Sequence, residues 1–403
     1  MNFTDFNLNA KLQEGIDAIG YKTATPVQEQ VLPIILAGKD LIASAQTGTG
    51  KTAAFLLPII HKILEAHEDE HIHALIIVPT RELALQIAQQ LDGLSYFTSV
   101  SSIAIYGGGD GSSFETEKKA LSHGADIVIC TPGKMLSHLN MGYVQVKELK
   151  YLILDEADRM LDMGFNEDIM RIISYLPKKR QNLLFSATMP HKMRELARKI
   201  LHHPEEINIS VSKPAENVTQ EAFIVYDTQK IPLVSYILKE KKFPSVLIFC
   251  STKISVKDLS RELKRARFSI EEIHSDLDQS TREKVLSGFI NRRTNILVAT
   301  DVLSRGIDIQ DIDLVINYDV PNDGEDYIHR IGRTARAKSK GEAITFVNQK
   351  EQGKFARIEQ LLGNPVIKAV VPEALGPVPL YEPLKNKATF ARRTKPGNKN
   401  KKK

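Results

Sequence analysis

The chain has 403 residues, 42% of them hydrophobic and 26% charged, and this composition excludes a largely disordered protein. The length favours two domains, because a single hydrophobic core rarely grows to this size. No apolar run approaches the roughly 20 residues of a membrane-spanning helix, and the N-terminus lacks a secretory signal pattern. We therefore expect a soluble, cytoplasmic protein that binds no membrane. Cys130 and Cys250 lack a CxxC partner and predict neither a disulfide nor a zinc site.

The net charge of +5 is unevenly distributed along the chain. Residues 385–403 contain nine cations and no acid, and subtracting these nine from +5 leaves −4 for the residues before them. A mildly acidic body with a basic end that contains Asn and Gly predicts a disordered arm that meets a polyanion. The alternative is an end that only improves solubility.

Short β-rich apolar runs alternate with helical patterns, which is typical of an α/β fold with parallel sheets. The alternation occurs twice. In the first half the predicted strands are Leu41–Ala45, Ala74–Val78, Ile103–Tyr106, Ile127–Cys130, Leu152–Leu154 and Leu183–Phe185. In the second half they are Val246–Cys250, Ile270–His274, Ile296–Ala299, Leu314–Tyr318 and Ala343–Val347.

The polar stretch SKPAENV contains a proline and has no apolar period, so it marks the boundary between two domains. We predict one domain over residues 1–211, a linker over 212–218 and a second domain over 219–365. The last helix should end near Leu362. The prolines beyond it predict an extended basic tail over residues 366–403.

The segment AQTGTGKT follows the first predicted strand and precedes an apolar helical run. This context predicts a phosphate-binding loop, in which backbone N–H groups surround phosphates at a helix N-terminus. Lys51 would reach the outer phosphates and the Thr52 hydroxyl would ligate Mg²⁺. The alternative, an ordinary glycine-rich turn, does not explain the strand and the helix on either side. The predicted nucleotide contacts are Ala45, Gln46, Thr47, Gly48, Thr49, Gly50, Lys51 and Thr52.

The segment YLILDEAD, residues 151–158, supplies the acidic strand end that such a loop needs. Its apolar residues predict a buried strand, so Asp155 and Glu156 should emerge at the carboxyl edge of the sheet. Asp155 would hold Mg²⁺ and Glu156 would polarise an attacking water. Without the phosphate-binding loop, a helix cap with solvated charges would be the better interpretation.

With these motifs the chain resembles the DEAD-box ATP-dependent RNA helicases of superfamily 2, from Phe3 to about Leu362. The further segments that carry the resemblance are GYKTATPVQ, PTRELALQ, the pair Gly107 and Gly108, TPGK, SAT, VLIFC, ATDVLSRGIDI and HRIGRTAR. The short chain with a brief basic end looks most like a bacterial RhlE-type member. The resemblance implies two tandem RecA-like domains, with ATP and Mg²⁺ bound between them and single-stranded RNA crossing both.

The resemblance also implies roles for individual residues. Gln28 would read the adenine edge, Phe3 would stack on the base and Asp308 would bond the ribose. Arg330 and Arg333 would act as arginine fingers, with His329 and Arg336 holding the motif to its neighbours. The hydroxyls of Ser186 and Thr188 would bridge to the DEAD carboxylates and couple the ATP and RNA sites.

Helix N-termini and side-chain-free glycines predict the RNA surface, since both allow close contact with phosphate oxygens. Contacts of this kind carry little sequence preference. Lys134 stands where the family usually has Arg, which predicts one weaker contact. The predicted RNA contacts are Pro79, Thr80, Arg81, Gly107, Gly108, Thr131, Pro132, Gly133, Gln279, Arg282 and Thr300.

The sequence therefore predicts a monomeric RNA-dependent ATPase that unwinds short duplexes locally or remodels RNA–protein complexes. Ribosome-assembly or RNA-turnover proteins are the expected partners, as is usual in the family. Two alternatives stay open: an ATP-gated RNA clamp without useful unwinding, and a DNA helicase, which the Q motif and Asp158 disfavour.

Overall fold

The computed structural model describes residues 1–45, 49–66, 71–108, 111–208, 217–300, 312–322, 324–334 and 341–383. The chain divides into two compact units, Met1–Ser212 (unit 1) and Lys213–Lys403 (unit 2). Across the described ranges, every helix is either too short or too polar to cross a bilayer.

Unit 1 is built around one parallel sheet of seven strands with helices between successive strands. The spatial order of the strands is β3-β4-β2-β5-β6-β1-β7. The strands are β1 (Leu41–Ser44), β2 (Ala74–Ile77), β3 (Ser102–Ile105), β4 (Ile127–Cys130), β5 (Tyr151–Leu154), β6 (Gln181–Ser186) and β7 (Glu205–Asn208). The helices are α1 (Ala10–Ala18), α2 (Pro26–Leu36), α3 (Lys51–Ala66), α4 (Arg81–Leu94), α5 (Gly111–His123), α6 (Pro132–Asn140), α7 (Ala157–Asp162), α8 (Asn166–Tyr175) and α9 (His191–Ile200).

The central strands of unit 1 are apolar on both faces because helices cover both sides of the sheet. In β2, Ala74 and Ile76 belong to one hydrophobic cluster, whereas Leu75 and Ile77 belong to the other. All four side chains are fully buried. Successive side chains of β2 therefore point into two different cores, one on each face of the sheet. A continuous apolar run such as ALII is typical of that arrangement.

Unit 2 repeats the same topology with a second parallel sheet, in the order β10-β11-β9-β12-β13-β8-β14. Its strands are β8 (Val218–Ile224), β9 (Val246–Cys250), β10 (Ile270–Ile273), β11 (Ile296–Thr300), β12 (Leu314–Asn317), β13 (Gly341–Val347) and β14 (Ile367–Lys368). Its described helices are α10 (Asp227–Glu240), α11 (Lys253–Arg265), α12 (Gln279–Ile290), α13 (Gly324–Ile331) and α14 (Gln352–Leu362).

The predicted α/β class with parallel sheets is confirmed, and three strands were not predicted. β7 is an edge strand of sequence EEIN, with three exposed residues and no apolar run. β8 begins at Val218, the last residue of the predicted linker. β14 has two residues and pairs with β8 at the sheet edge. β7 and β14 are held by backbone pairing at a sheet edge, which leaves little trace in the sequence, whereas β8 lies inside its sheet between β13 and β14.

The segment from residue 366 to 383 differs from the predicted extended tail, because it packs against the rest of unit 2. The Gln229 side chain donates to the carbonyls of Leu375 (2.7 Å) and Pro377 (3.0 Å). Gln352 donates to the Leu380 carbonyl at 2.7 Å and accepts from the Glu382 N–H at 2.7 Å. The basic residues from 385 onward lie outside the described residues.

In unit 1, α1 packs closely against α4, and two glycine substitutions test this contact. A Cβ added at Gly15 would lie 2.2 Å from the carbonyl oxygen of Leu94, whereas one at Gly93 would meet only Ile19 Cγ2 at 3.5 Å. Alanine normally favours a helix over glycine, so Gly93→Ala should stabilise unit 1 by up to about 1 kcal/mol. Gly15→Ala should instead destabilise it by about 1 to 3 kcal/mol through overpacking. Chemical denaturation measures both, and a stabilising Gly15→Ala would contradict the described contact.

Candidate active site

The predicted motif residues of unit 1 meet at one edge of its sheet. Because all seven strands are parallel, their carboxyl ends lie on the same side. The residues at or directly after these ends are Ala45, Val78, Tyr106, Thr131, Asp155 and Ser186. The sequence motifs therefore form one continuous strand-end surface, although Ala45 and Ser186 are 141 residues apart along the chain.

Lys51 is the first residue of α3 and lies at this edge. Its side chain is 5% exposed, and its Nζ has no hydrogen-bond partner within the described part of the chain. The helix N-terminus beside it carries unpaired N–H groups and a partial positive charge. A buried ammonium beside a helix N-terminus fits a phosphate group. The predicted contacts Gln46, Thr47 and Gly48 lie outside the described residues.

Asp155 follows β5 and is 3% exposed. Burial raises its pKa from the ordinary value of 3.8 to about 6, and the nearby Lys51 charge opposes this shift. One carboxylate oxygen accepts from the Glu156 N–H at 2.9 Å. A buried carboxylate that is costly to ionise and a half-buried Thr52 hydroxyl are hard oxygen donors, which are the ligands that Mg²⁺ prefers.

Glu156 adopts a left-handed backbone conformation (φ 49°, ψ 47°) at the N-cap of α7. This conformation is strained for a residue with a Cβ, and such strain is concentrated at functional sites. Its Oε2 lies 3.2 Å from Arg159 Nη1, and both residues are buried, at 7% and 5% exposed. Arg159 was not predicted as a site residue. Its spacing of three residues from Glu156 on a helix was the available signal.

The Gln28 side chain ties the start of α2 to the phosphate-binding loop. Its carbonyl accepts from the Thr25 N–H at 2.8 Å, and its amide donates to the Gly50 carbonyl at 3.1 Å. Thr25 caps α2 in return. Each end of the amide retains one further hydrogen-bonding position, which adenine recognition requires. The predicted adenine contact of Gln28 therefore stays compatible with the structure.

Phe3 differs from its predicted role as a base-stacking ring. It is 2% exposed and belongs to the hydrophobic core. Its ring lies 6.0 Å from that of Tyr21 and 6.3 Å from that of Phe6. An isolated aromatic in a polar N-terminal segment resembles a ligand contact in sequence, yet the hydrophobic effect buries it against other rings.

The SAT segment contacts the DEAD segment, but through a different group from the one predicted. The backbone N–H of Thr188, and not its hydroxyl, donates to Asp158 Oδ2 at 2.9 Å. The Ser186 hydroxyl donates to the Thr188 carbonyl at 2.6 Å, within its own motif. The predicted bridge between hydroxyls and carboxylates is therefore replaced by a main-chain contact to Asp158.

Two of the predicted RNA-contacting segments meet beside the end of β3. The Arg81 guanidinium lies 4.5 Å from the Tyr106 ring centroid. A Cβ at Gly108 would approach Arg81 Nη1 to 3.3 Å, and Gly108 has a φ of +88°. Thr80 caps α4 by accepting from the Leu83 N–H at 3.3 Å. Tyr106 was not predicted, although its position directly before Gly107 was a signal.

The TPGK segment forms the predicted turn into α6, with Thr131 at the N-cap and Pro132 at the first helical position. The Thr131 side chain makes no capping hydrogen bond. Lys134 Nζ pairs with Glu117 Oε2 at 2.8 Å, and the same oxygen lies 3.0 Å from His138 Nε2. The Lys134 charge is thus partly neutralised by an internal carboxylate, as is consistent with a weaker phosphate contact.

In unit 2 the structure corrects the interpretation of Arg330. This residue is 2% exposed, and its Nη1 donates to Asn317 Oδ1 (3.1 Å) and to the Asp319 carbonyl (3.0 Å). Its guanidinium also lies 5.2 Å from the Phe249 ring centroid. Arg330 is therefore an internal anchor between α13 and the ends of β9 and β12. The sequence showed three evenly spaced arginines and could not show which of them is buried.

The remaining predicted residues of unit 2 lie at or near its strand ends. Arg282 donates to the carbonyls of His274 (3.5 Å) and Ser275 (3.0 Å), and Thr300 is the last residue of β11. Arg333 is 6% exposed and follows α13, which contains His329. Asp308 and Arg336, and the side chain of Gln279, lie outside the described residues.

Comparisons with known proteins match both halves of the chain to helicase family models. The DEAD/DEAH box helicase model matches residues 25–196, and the helicase conserved C-terminal domain model matches residues 229–338. The ATP-dependent RNA helicase CshA of Listeria monocytogenes is 43% identical over 359 residues, covering 89% of this chain and 68% of the relative. CshA of Bacillus subtilis is 38% identical over 361 residues, covering 89% and 72%. These relatives bear the name CshA, so the RhlE-type subgroup stays a prediction.

Two solved structures are similar to the chain as a whole. S. cerevisiae Dbp5 bound to RNA and ADP BeF3 matches with a TM-score of 0.82 and 30% identity, covering 92% of this chain and 95% of that one. A DEAD box protein from Methanococcus jannaschii matches with a TM-score of 0.53 and 39% identity, covering 92% and 99%. The predicted pair of RecA-like domains is thereby confirmed.

The buried Asp155 carboxylate predicts a pH-dependent change in stability. Its folded pKa of about 6 exceeds 3.8, so the cost of ionising Asp155 in the ligand-free fold is absent below about pH 4, grows between about pH 4 and pH 6, and is fully present above about pH 6. Asp155→Asn should therefore stabilise unit 1 by about 2 to 3 kcal/mol at about pH 7.5, and by about half as much at about pH 5. Thermal unfolding without nucleotide or metal measures this, with the exposed Asp92→Asn as control. An equal effect at both pH values would contradict the burial of this charge.

Proposed function

This chain belongs to the DEAD-box family of ATP-dependent RNA helicases, and we propose that its strand-end surface couples ATP hydrolysis to local unwinding of short RNA duplexes. The observation that carries the proposal is the buried Lys51 ammonium beside the N-terminus of α3. Its Nζ makes no hydrogen bond within the described part of the chain, and an outer phosphate of ATP would satisfy it.

The residues around Lys51 have distinct tasks in hydrolysis. Lys51 holds the outer phosphates and balances the charge that develops on them. Glu156 accepts a proton from the attacking water, and Arg159 at 3.2 Å fixes the orientation of that carboxylate. Thr52 and Asp155 would hold Mg²⁺, which supplies further positive charge to the phosphate oxygens when it is bound. Arg333 remains the candidate arginine finger, since Arg330 is held inside unit 2.

RNA recognition would follow from backbone geometry. A sugar–phosphate strand can approach Gly107, where an added Cβ would meet no described atom within 4 Å apart from its chain neighbours, and Gly133, which is equally open. Arg81 and the N-termini of α4 and α6 would contact phosphates beside these glycines. Such contacts position RNA without reading bases, so we propose little sequence preference. The 2′-hydroxyl would distinguish RNA from DNA.

The link between nucleotide and RNA runs through the DEAD segment. Glu156 faces the hydrolysis chemistry. Asp158, two residues after Glu156, accepts a hydrogen bond from the Thr188 N–H. A shift of α7 on ATP hydrolysis would therefore move the SAT turn as well. We propose a cytoplasmic monomer that acts in ribosome assembly or RNA turnover, with the basic residues from 385 to 403 tethering RNA.

Steady-state ATP hydrolysis tests this function. We expect stimulation by single-stranded RNA, weaker or absent stimulation by DNA of the same sequence, and a loss of about a hundredfold or more in Glu156→Gln. The exposed Glu167→Gln serves as the matched control, because it makes the same change on the neighbouring helix α8.

Each contrary outcome has a separate meaning. Equal stimulation by DNA would refute selection through the 2′-hydroxyl. RNA binding without stimulated hydrolysis would refute the enzyme and favour an ATP-gated clamp. Retained hydrolysis in Glu156→Gln would refute its role as the base.

A further inference from the structure

A basic cleft lies at the amino-terminal edge of the unit 1 sheet, on the side opposite to the motif residues. The cleft has a volume of about 970 Å³ and is bordered by residues that precede or begin β1, β6 and β7, including Asp40, Asn182 and Glu205. A second groove of about 450 Å³ beside β5 shares Gly38 and Lys179 with it. Together they form one continuous surface, which we name the rear cleft.

The rear cleft is strongly positive. Eight lysine and arginine side chains line it, against three carboxylates. One of these carboxylates, Glu205, pairs with Lys39 at 2.7 Å, and a second, Asp40, is only 7% exposed. The body of the chain before residue 385 is mildly acidic, so this concentration of cations does not follow from composition.

Five of these cations are exposed and form no ion pair within the described part of the chain. They are Lys147, Lys178, Lys179, Arg198 and Lys199. A smaller groove in unit 2, of about 440 Å³, gives the contrast. Three of its four cations, Lys257, Arg261 and Arg265, pair with Asp276, Asp258 and Glu262. Cations on an ordinary solvated helix face commonly pair in this way. The rear cleft leaves its charges available to an external anion.

The floor of the rear cleft is rigid. Asp40 accepts from the Asn182 N–H (2.7 Å), the Asn182 side-chain amide (3.0 Å) and the His202 N–H (2.8 Å). These bonds join the starts of β1 and β6 to the turn after α9. Arg180 donates to Asn182 Oδ1 (2.8 Å) and to the Pro177 carbonyl (2.6 Å), which fixes the turn that carries Lys178 and Lys179. The negative charge of Asp40 is used internally, so the cleft presents mainly its cations.

We propose that the rear cleft binds the sugar–phosphate backbone of a duplex segment of the same RNA whose single strand occupies the strand-end surface. This inference rests on the proposed function for the identity of the polyanion. A protein partner would need exposed apolar or aromatic anchors. The described large apolar residues that line the cleft, Leu176 and Ile200 among them, are buried or half-buried. Lysines and arginines without apolar anchors suit phosphates, which need charge but no fixed register.

The test removes three charges from the rear cleft of the full-length chain, as Lys178→Gln, Lys179→Gln and Arg198→Gln. The control removes three exposed unit 2 charges, as Lys239→Gln, Lys242→Gln and Lys264→Gln. One RNA is a single strand of about 10 nucleotides, which is too short to extend beyond the strand-end surface. The other carries the same strand joined to a duplex of about 20 base pairs, which is long enough to extend beyond it.

Fluorescence anisotropy over a salt series should show a selective loss. The rear-cleft variant should bind the duplex-bearing RNA about tenfold more weakly at about 0.1 M salt, with a salt slope reduced in magnitude by about 2 to 3. The short strand and its stimulation of ATP hydrolysis should stay within about twofold of the wild type in both variants. Thermal unfolding establishes that both variants fold.

Other results overturn the proposal. Equal affinities of the two variants for the duplex-bearing RNA would show that the rear cleft binds no RNA. Equal weakening of both RNAs would place these cations on the single-strand surface. Unchanged RNA binding with lost binding of polyglutamate would indicate an acidic protein partner. Failure of the proposed function appears separately, as a wild type whose ATP hydrolysis does not respond to single-stranded RNA.

Discussion

Parallel pairing in the unit 1 sheet places all strand carboxyl ends at one edge, and the chemistry of the site depends on this constraint. β2, β4, β5 and β6 each lead through a short loop into a helix whose N-terminus lies at this edge. Lys51 and Asp155 are brought together in this way from different strands. The apolar residues of β2, β4 and β5 are buried on both faces of the sheet. The edge is therefore supported by a close-packed, rigid core.

The same burial that makes the site rigid also lowers the stability of the ligand-free fold. The Lys51 ammonium is buried without a hydrogen bond in the described part of the chain, and the pKa of Asp155 is raised by desolvation. Glu156 is held in a left-handed conformation beside the buried Arg159. These features destabilise the ligand-free fold, and under the proposed function phosphate and Mg²⁺ would offset that cost when they bind. Gln28 and the contact between Thr188 and Asp158 connect the site to neighbouring segments.

The sequence predicted what apolar periodicity and motif spacing can encode. Strands such as β2 and β9 are continuous apolar runs, and Asp155 emerges at the carboxyl end of β5 as the motif indicated. It missed β7 and β14, because an edge strand is fixed by backbone pairing and needs no apolar run. It assigned Arg330 to a phosphate and Phe3 to a base, because residue type shows charge or aromaticity but not burial. The rear cleft has no motif, and only the fold brings residues 147, 178 and 198 to one surface.

The central claim is that Mg²⁺ and ATP complete a buried, charged edge that Lys51 and Asp155 hold ready. Thermal unfolding with a non-hydrolysable ATP analogue, with and without Mg²⁺, tests it most directly. The account predicts that the analogue with Mg²⁺ raises the unfolding temperature of the wild type. At a hundredfold excess over Kd the gain in the free energy of unfolding should be about 3 kcal/mol. It predicts a smaller rise without Mg²⁺ and almost none in Lys51→Gln. Equal stabilisation of Lys51→Gln and the wild type would contradict it.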